Sequence, residues 1–75
     1  MITIYNNKHL TWDGNVSINH YELFVDSASE LPTAKADIYA LIGAGYRMAQ
    51  GSLAYVVTTS EMYMLNSSGQ WILQE

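Results

Sequence analysis

Residues 51–75 read GSLAYVVTTSEMYMLNSSGQWILQE, and this stretch decides the fold class. Leu53, Tyr55 and Val57 alternate with Ala54, Val56 and Thr58, the period-2 pattern of a strand. Thr59-Ser60 is a turn candidate. Met62 and Met64 then alternate with Tyr63 and Leu65. Asn66-Ser67-Ser68-Gly69 fits a type I turn closed by a glycine at positive φ. A last strand follows, with Trp71 and Leu73 on one face and Ile72 on the other. The reading is a three-stranded antiparallel meander over 53–74. Its only charges are Glu61 and Glu75, so neither face is charged along the strands.

Upstream of the meander the period changes. In TAKADIYALIGAG, Ala34, Ile38, Leu41 and Ile42 fall on one helical stripe. Thr33 suits an N-cap, Asp37 suits the positive end of the helix, and Gly43 and Gly45 suit its stop. This predicts one short helix near 33–43, which holds in water only when packed on the sheet. Tyr46 to Ser52 read as a connector. Before the helix, Ser27-x-x-Glu30 has capping-box spacing, and Pro32 limits any helix there to one turn.

Residues 16–26, VSINHYELFVD, form the clearest early strand, with Tyr21, Leu23 and Val25 on one face and Glu22, Phe24 and Asp26 on the other. Phe24 implies partial cover of the second face. MITIYNNKHLTWDG suggests a hairpin of its own. Ile2–Tyr5 and His9–Trp12 alternate, Asn6-Asn7-Lys8 is a turn signal between them, and Asp13-Gly14-Asn15 is a second turn. The expected architecture is thus a single small domain over 1–75. It is α+β and mostly β: a small antiparallel sheet with the C-terminal meander and one short helix.

Size makes this domain marginal. A chain of 75 residues buries only about 60% of its unfolded surface, and such domains usually carry a staple. Cysteine is absent, which removes disulfides and most zinc sites. His9 and His20 have no close cluster of ligating residues, so no metal or other cofactor is expected. Assembly with other chains is left as the leading means of stabilisation. Composition agrees, because charged residues are 13% of the chain, about half the usual share, while hydrophobic types are 49%. The net charge of −4, with three Lys and Arg in all, disfavours nucleic-acid binding. No apolar run approaches a membrane span, and the N-terminus lacks a signal-peptide pattern. The expectation is a protein made in a cytosol that stays there or leaves inside a larger particle.

No motif carries catalysis. Gly43-Ala44-Gly45 lacks the third small residue of a dinucleotide loop, where Met48 stands, and no phosphate-loop lysine follows. His20, Asp26 and a serine make a triad only by chance in so serine-rich a chain, and no nucleophile elbow is present. His9 and Asp13 are spaced for a structural hydrogen bond across a turn. The chain is read as no enzyme. Aromatic residues are 12% of it. Base stacking would want nearby cations, which leaves sugar binding or, more simply, core and protein–protein interface. Tyr55, Met62, Tyr63, Met64 and Trp71 are the candidate contact residues, on a meander whose inward face is open at this point.

Three motifs bear a resemblance. They are S-x-S-E-L-P (Ser27, Ser29, Glu30, Leu31, Pro32), G-S-x-A-Y-V-V (Gly51, Ser52, Ala54, Tyr55, Val56, Val57), and Glu61 with Y-x-x-N-x-x-G-x-W (Tyr63, Asn66, Gly69, Trp71). This pattern over 27–75 resembles a module of small virion proteins of tailed bacteriophages, found in head-fibre, decoration and tail-associated proteins. It departs from that pattern at 33–45, where a shorter link is implied. The resemblance implies a structural role in a virus particle assembled in the bacterial host cytoplasm. The partners would be other virion proteins, copies of the same chain, or both. Two other readings stand beside it: a module on the particle that binds carbohydrate or the host surface, and a phage-encoded inhibitor of a host protein.

Overall fold

The computed structural model describes residues 1–33 and 35–74. Its elements are β1 (Ile2–Asp13), β2 (Val16–Val25), a 3-10 turn (Ala28–Glu30), α1 (Lys35–Ile42), β3 (Tyr46–Met48), β4 (Leu53–Val56), β5 (Glu61–Leu65) and β6 (Trp71–Gln74). All six strands form one sheet in the order β1-β2-β4-β5-β6, with β3 also paired to β2. The fold is α+β and mostly β. The sheet is mixed: β2 pairs in parallel with both β3 and β4, and every other pairing is antiparallel.

The separate N-terminal hairpin is not formed. Residues 2–13 make one strand, and the hairpin turns at Gly14-Asn15, with Asp13 opposite Val16 and Gly14 at φ 62°. The Asn6-Asn7-Lys8 segment stays extended because its amides find partners across the ladder. Asn6 Nδ2 donates to Glu22 Oε1 at 2.8 Å, and Asn7 Oδ1 accepts from Asn19 Nδ2 at 2.8 Å. Turn-prone residues acquire a second use when a cross-strand acceptor is in reach. Register shifts between Ile4 and Asn6 and between His9 and Thr11 leave Tyr5 and Leu10 as the extra residues of two irregularities.

After β2 the chain leaves the sheet. Glu30 accepts from the backbone N–H of Asp26 and Ser27, at 2.9 and 3.1 Å, and holds the 3-10 turn that Pro32 follows. The helix ends at Gly43, at φ 97°, whose N–H closes on Tyr39 at 2.8 Å. Its described span is Lys35–Ile42; Ala34, the first position of the expected stripe, lies outside the described residues.

The stretch read as a connector contains β3. β3 and β4 run end to end along the same edge of β2, broken at residues 49–52. Ser52, fully buried, bridges the break. Its hydroxyl accepts from Tyr21 N–H at 3.1 Å and donates to Ala49 C=O at 2.7 Å, replacing ladder bonds that the break removes. The core lies on one face only. Tyr21, Leu23 and Val25 of β2, Ala54 and Val56 of β4, Leu65 and Met48 are buried there. Leu31, Leu41, Ile42, Ile2, Tyr63 and Trp71 pack over its central cluster. The 3-10 turn and helix therefore cover this face.

Candidate functional site: the open face of the sheet

The register assigns every strand residue to a face. Directly paired residues share a face, and neighbours along a strand alternate. One row across the far side of the sheet is Thr3, Phe24, Tyr55, Met62 and Gln74. The next is Asn6, Glu22, Leu53, Met64 and Ile72. Among the described residues, no helix covers these rows. Phe24 and Met64 are each 39% exposed and Ile72 46%, while Leu53, Tyr55 and Met62 are half-buried by one another. A contiguous apolar patch of this kind on a small domain marks an interaction surface.

Its aromatic end is ordered by contact. The Tyr5 ring stacks on Phe24, centroids 4.5 Å apart and 19° from parallel, and Phe24 meets Tyr55 edge-on at 6.2 Å. The Tyr5 hydroxyl donates to the Glu22 carboxylate, which also accepts from Asn6 and has His20 Nε2 at 3.6 Å. The hydrogen bond from Tyr5, then that from Asn6, holds the Glu22 carboxyl below its ordinary range. The same bond to Glu22 pushes the Tyr5 phenol up.

The structure divides the five contact residues expected on the meander. Tyr55, Met62 and Met64 lie on the open face. Tyr63 and Trp71 lie on the covered one: Tyr63 pairs with Ala54, Trp71 pairs with Leu65, and both pack against the core. Trp71 Nε1 donates to Pro32 C=O at 3.1 Å, tying β6 to the segment before the helix. Phe24, Leu53, Ile72 and Tyr5 complete the patch. For Phe24 the signal was present, as an aromatic on the same face as Glu22 and Asp26; Leu53 and Ile72 become surface residues only once the covered face is known.

The polar candidates do not assemble into chemistry. His20 lies against Glu22, and Asp26 holds the N-terminal ammonium at 2.9 Å, so the imagined triad is not brought together. The His9–Asp13 bond is replaced on both sides. His9 Nδ1 lies 2.7 Å from Ser17 Oγ and 3.3 Å from Asn19 Oδ1, and Asp13 pairs with Arg47 at 2.6 Å. Ser17 and Asn19 are buried and bonded to each other at 2.6 Å. This network satisfies the inner side of the β1–β2 arm, and among the described residues no buried side-chain polar atom lacks a partner. Among those residues, too, no group of three His, Cys, Asp or Glu side chains could hold a metal ion, and no helix is long and apolar enough to cross a membrane. A cleft of about 500 Å³ lies between α1, β3 and the turn at 66–69, lined by Ile38, Tyr39, Tyr46, Met48 and Leu65 among others. It gathers no acid–base pair.

Comparison with known protein families, with curated proteins and with solved structures found no match.

Proposed function

We propose that this chain is a small structural component of a tailed-bacteriophage particle, either a head decoration or fibre protein or a small tail or adaptor protein. It works by attachment and not by catalysis. The observation that carries the reading is the uncovered apolar face of the sheet, with Phe24, Leu53, Tyr55, Met62, Met64 and Ile72 at its centre. A free domain would be expected to cover or charge such a face. The phage context rests on the sequence resemblance over 27–75. The residues carrying it hold the fold here: Glu30 caps the 3-10 turn, Ser52 bridges β3 and β4, Asn66 and Gly69 form the last turn, and Trp71 anchors Pro32. Conversion of this face into a stable contact takes about 1,200 Å² or more of total buried area.

Mass spectrometry of purified particles tests the reading. The expected result is this chain at a defined copy number per particle. Its absence from particles, with capture of one host protein from infected lysate, would transfer the function to host inhibition. The aromatic pair Tyr5–Phe24 beside Glu22 and Asn6 favours carbohydrate as a second reading, since sugars bind aromatic faces flanked by hydrogen-bonding groups. A glycan array probed with the protein, with Tyr5→Ala as control, separates that reading from assembly.

A further inference from the structure

We infer that the cleft between α1, β3 and the turn at 66–69 is a strand-addition site. It takes an extended, apolar segment of a different polypeptide, which hydrogen-bonds to the outer edge of β3. The cleft shares no residue with the apolar patch on the open face, so binding here is a second activity that stands apart from attachment by that patch.

The backbone of β3 points to the ligand. Ser17 N–H donates to Gly45 C=O at 3.0 Å, and Ala49 N–H donates to Asn19 C=O at 2.8 Å, so residues 45 and 49 face β2. Backbone groups alternate between the two edges of a strand as side chains alternate between its faces. The N–H and C=O of Met48 and the C=O of Tyr46 therefore point away from β2; Tyr46 N–H is taken by Gly43 C=O at 3.2 Å. Among the described residues β3 pairs with β2 alone, and no strand, turn or side chain bonds to the outward groups of Met48. A donor and an acceptor set at strand spacing along a bare edge are complemented by another strand.

The cleft gives that strand its place. β3 and β4 follow one line along β2, and β5 flanks β4 only. Beyond Leu65 the chain turns back into β6, so no described residue continues the line of β5 beside β3. The cleft of about 500 Å³ lies there. Its wall takes Tyr46 and Met48 from the helix side of the sheet and Ile18 and Arg47 from the opposite side, so it wraps the edge of β3 and does not lie on one face. Residues 46–50 extend about 13 Å, room for an inserted segment of about four residues.

The wall also sets the occupant's chemistry. A residue directly opposite Met48 shares its face, and its side chain is received by Ile38, Met48 and Leu65, so it is apolar. Its neighbours point to the Ile18 and Arg47 side. Arg47 is the only charged residue among those lining the cleft, and it is paired with Asp13 at 2.6 Å. The net charge of −4 is thus held off the site, and a neutral or acidic neighbour fits beside Arg47 where a cation does not. The segment comes from another protein because every strand of this chain lies within the sheet, and the slot between β3 and α1 does not admit a sheet edge. The long outer edge of β1 is a poorer template, since irregularities at Tyr5 and Leu10 break it and Lys8 stands between them.

Titration of the ¹⁵N-labelled chain with the capped peptide acetyl-Thr-Val-Thr-Val-Thr-amide, up to about 5 mM, is the primary experiment. It should give saturable shifts centred on the Met48 amide, with a dissociation constant of about 0.1–1 mM. Hydrogen exchange at Met48 should slow by at least about 10-fold at saturation. The same peptide N-methylated at both valines keeps its side chains and loses the donors that face β3, and it should bind at least about 10-fold more weakly. Ile38→Asp, at a half-buried position of the wall, should weaken the unmodified peptide by a similar factor. No saturable shift at Met48, equal binding of the N-methylated peptide, or shifts confined to Phe24, Tyr55 and Met64 overturns the inference. Exchange at Met48 that slows with protein concentration alone would make the occupant a second copy and overturn the assignment to a different chain. The proposed function fails separately: peptide binding by a chain absent from particles refutes the particle role alone, and a particle component that takes no peptide refutes this site alone.

Discussion

The two faces of the sheet are built from similar residues and have opposite fates. On β4 the covered face shows Ala54 and Val56, and the open face shows Leu53 and Tyr55, which are larger. Size and hydrophobicity alone would have put the second pair inside. The difference comes from the crossover. A parallel β2-to-β3 connection has to pass over one side of the sheet, and it carries Leu31, Leu41 and Ile42 with it. Small residues at Ala54 leave room for that segment and for Tyr63 beside it. Burial here follows the path of the chain, so the greasier face of β4 is free for another molecule.

The comparison can be broken most severely at the covered face. Leu23→Ala, at a site 1% exposed, should destabilise the fold by about 2–5 kcal/mol in chemical denaturation. If it proves nearly neutral, the assignment of inside and outside is reversed. Ser52→Ala should cost about 1–3 kcal/mol, since it strips the buried Tyr21 N–H of its acceptor and leaves Ala49 C=O with the Ser52 N–H alone. Trp71→Phe keeps one ring over the core but removes the bond to Pro32 and part of the indole packing, for an expected loss of about 1–2 kcal/mol. On the open face, Met64→Lys should change the stability of the dilute, unassembled chain by no more than about 0.5 kcal/mol. A loss comparable to that of Leu23→Ala would mean that this face is already part of the core.

The smallest expected effect is on pH dependence. The bond from the N-terminal ammonium, followed by backbone bonds at Ser27, holds the Glu30 carboxyl low, and the bonds to Glu30 and then Asp26 push the ammonium up. Glu30 then contributes stability that is full above its unfolded value of about 4.3 and is lost as pH falls through the lowered folded value. The ammonium contributes stability that is full below about 7.7 and is lost as pH rises through its raised value. The pair is exposed, which keeps the effect small. Thermal unfolding should be flat between about pH 5 and 7, and Glu30→Gln should soften both limbs. A basic limb unchanged in Glu30→Gln would show that the ammonium owes its stabilisation to Asp26.

Much of the candidate site could be read from the residues, and its sidedness could not. Alternation set Met62 and Met64 apart from Tyr63 on one strand, but it does not link one strand to the next and names no inside; the register places Tyr55 with Met62. Trp71 illustrates the limit. A large aromatic in an uncharged meander reads as a contact residue until Pro32 and the segment before the helix are seen beneath it. The single long β1 was hidden for a related reason. Asn6 and Asn7 act as turn residues in isolation and as ladder residues when the side chains of Glu22 and Asn19 are in reach across the pair.

The sequence by itself determined what is local: the meander and its Asn66–Gly69 turn, the strand at 16–25, the 3-10 turn limited by Pro32, and the helix stopped at Gly43. Each depends on a period of two or 3.6 residues, or on a proline or glycine whose backbone preference acts at its own position. The tertiary structure alone decided which face is covered, that β2 joins its neighbours in parallel, and that Ser52 repairs the break between them. These depend on partners about thirty residues distant, whose approach is set by loop closure and shared packing. No residue records them by itself.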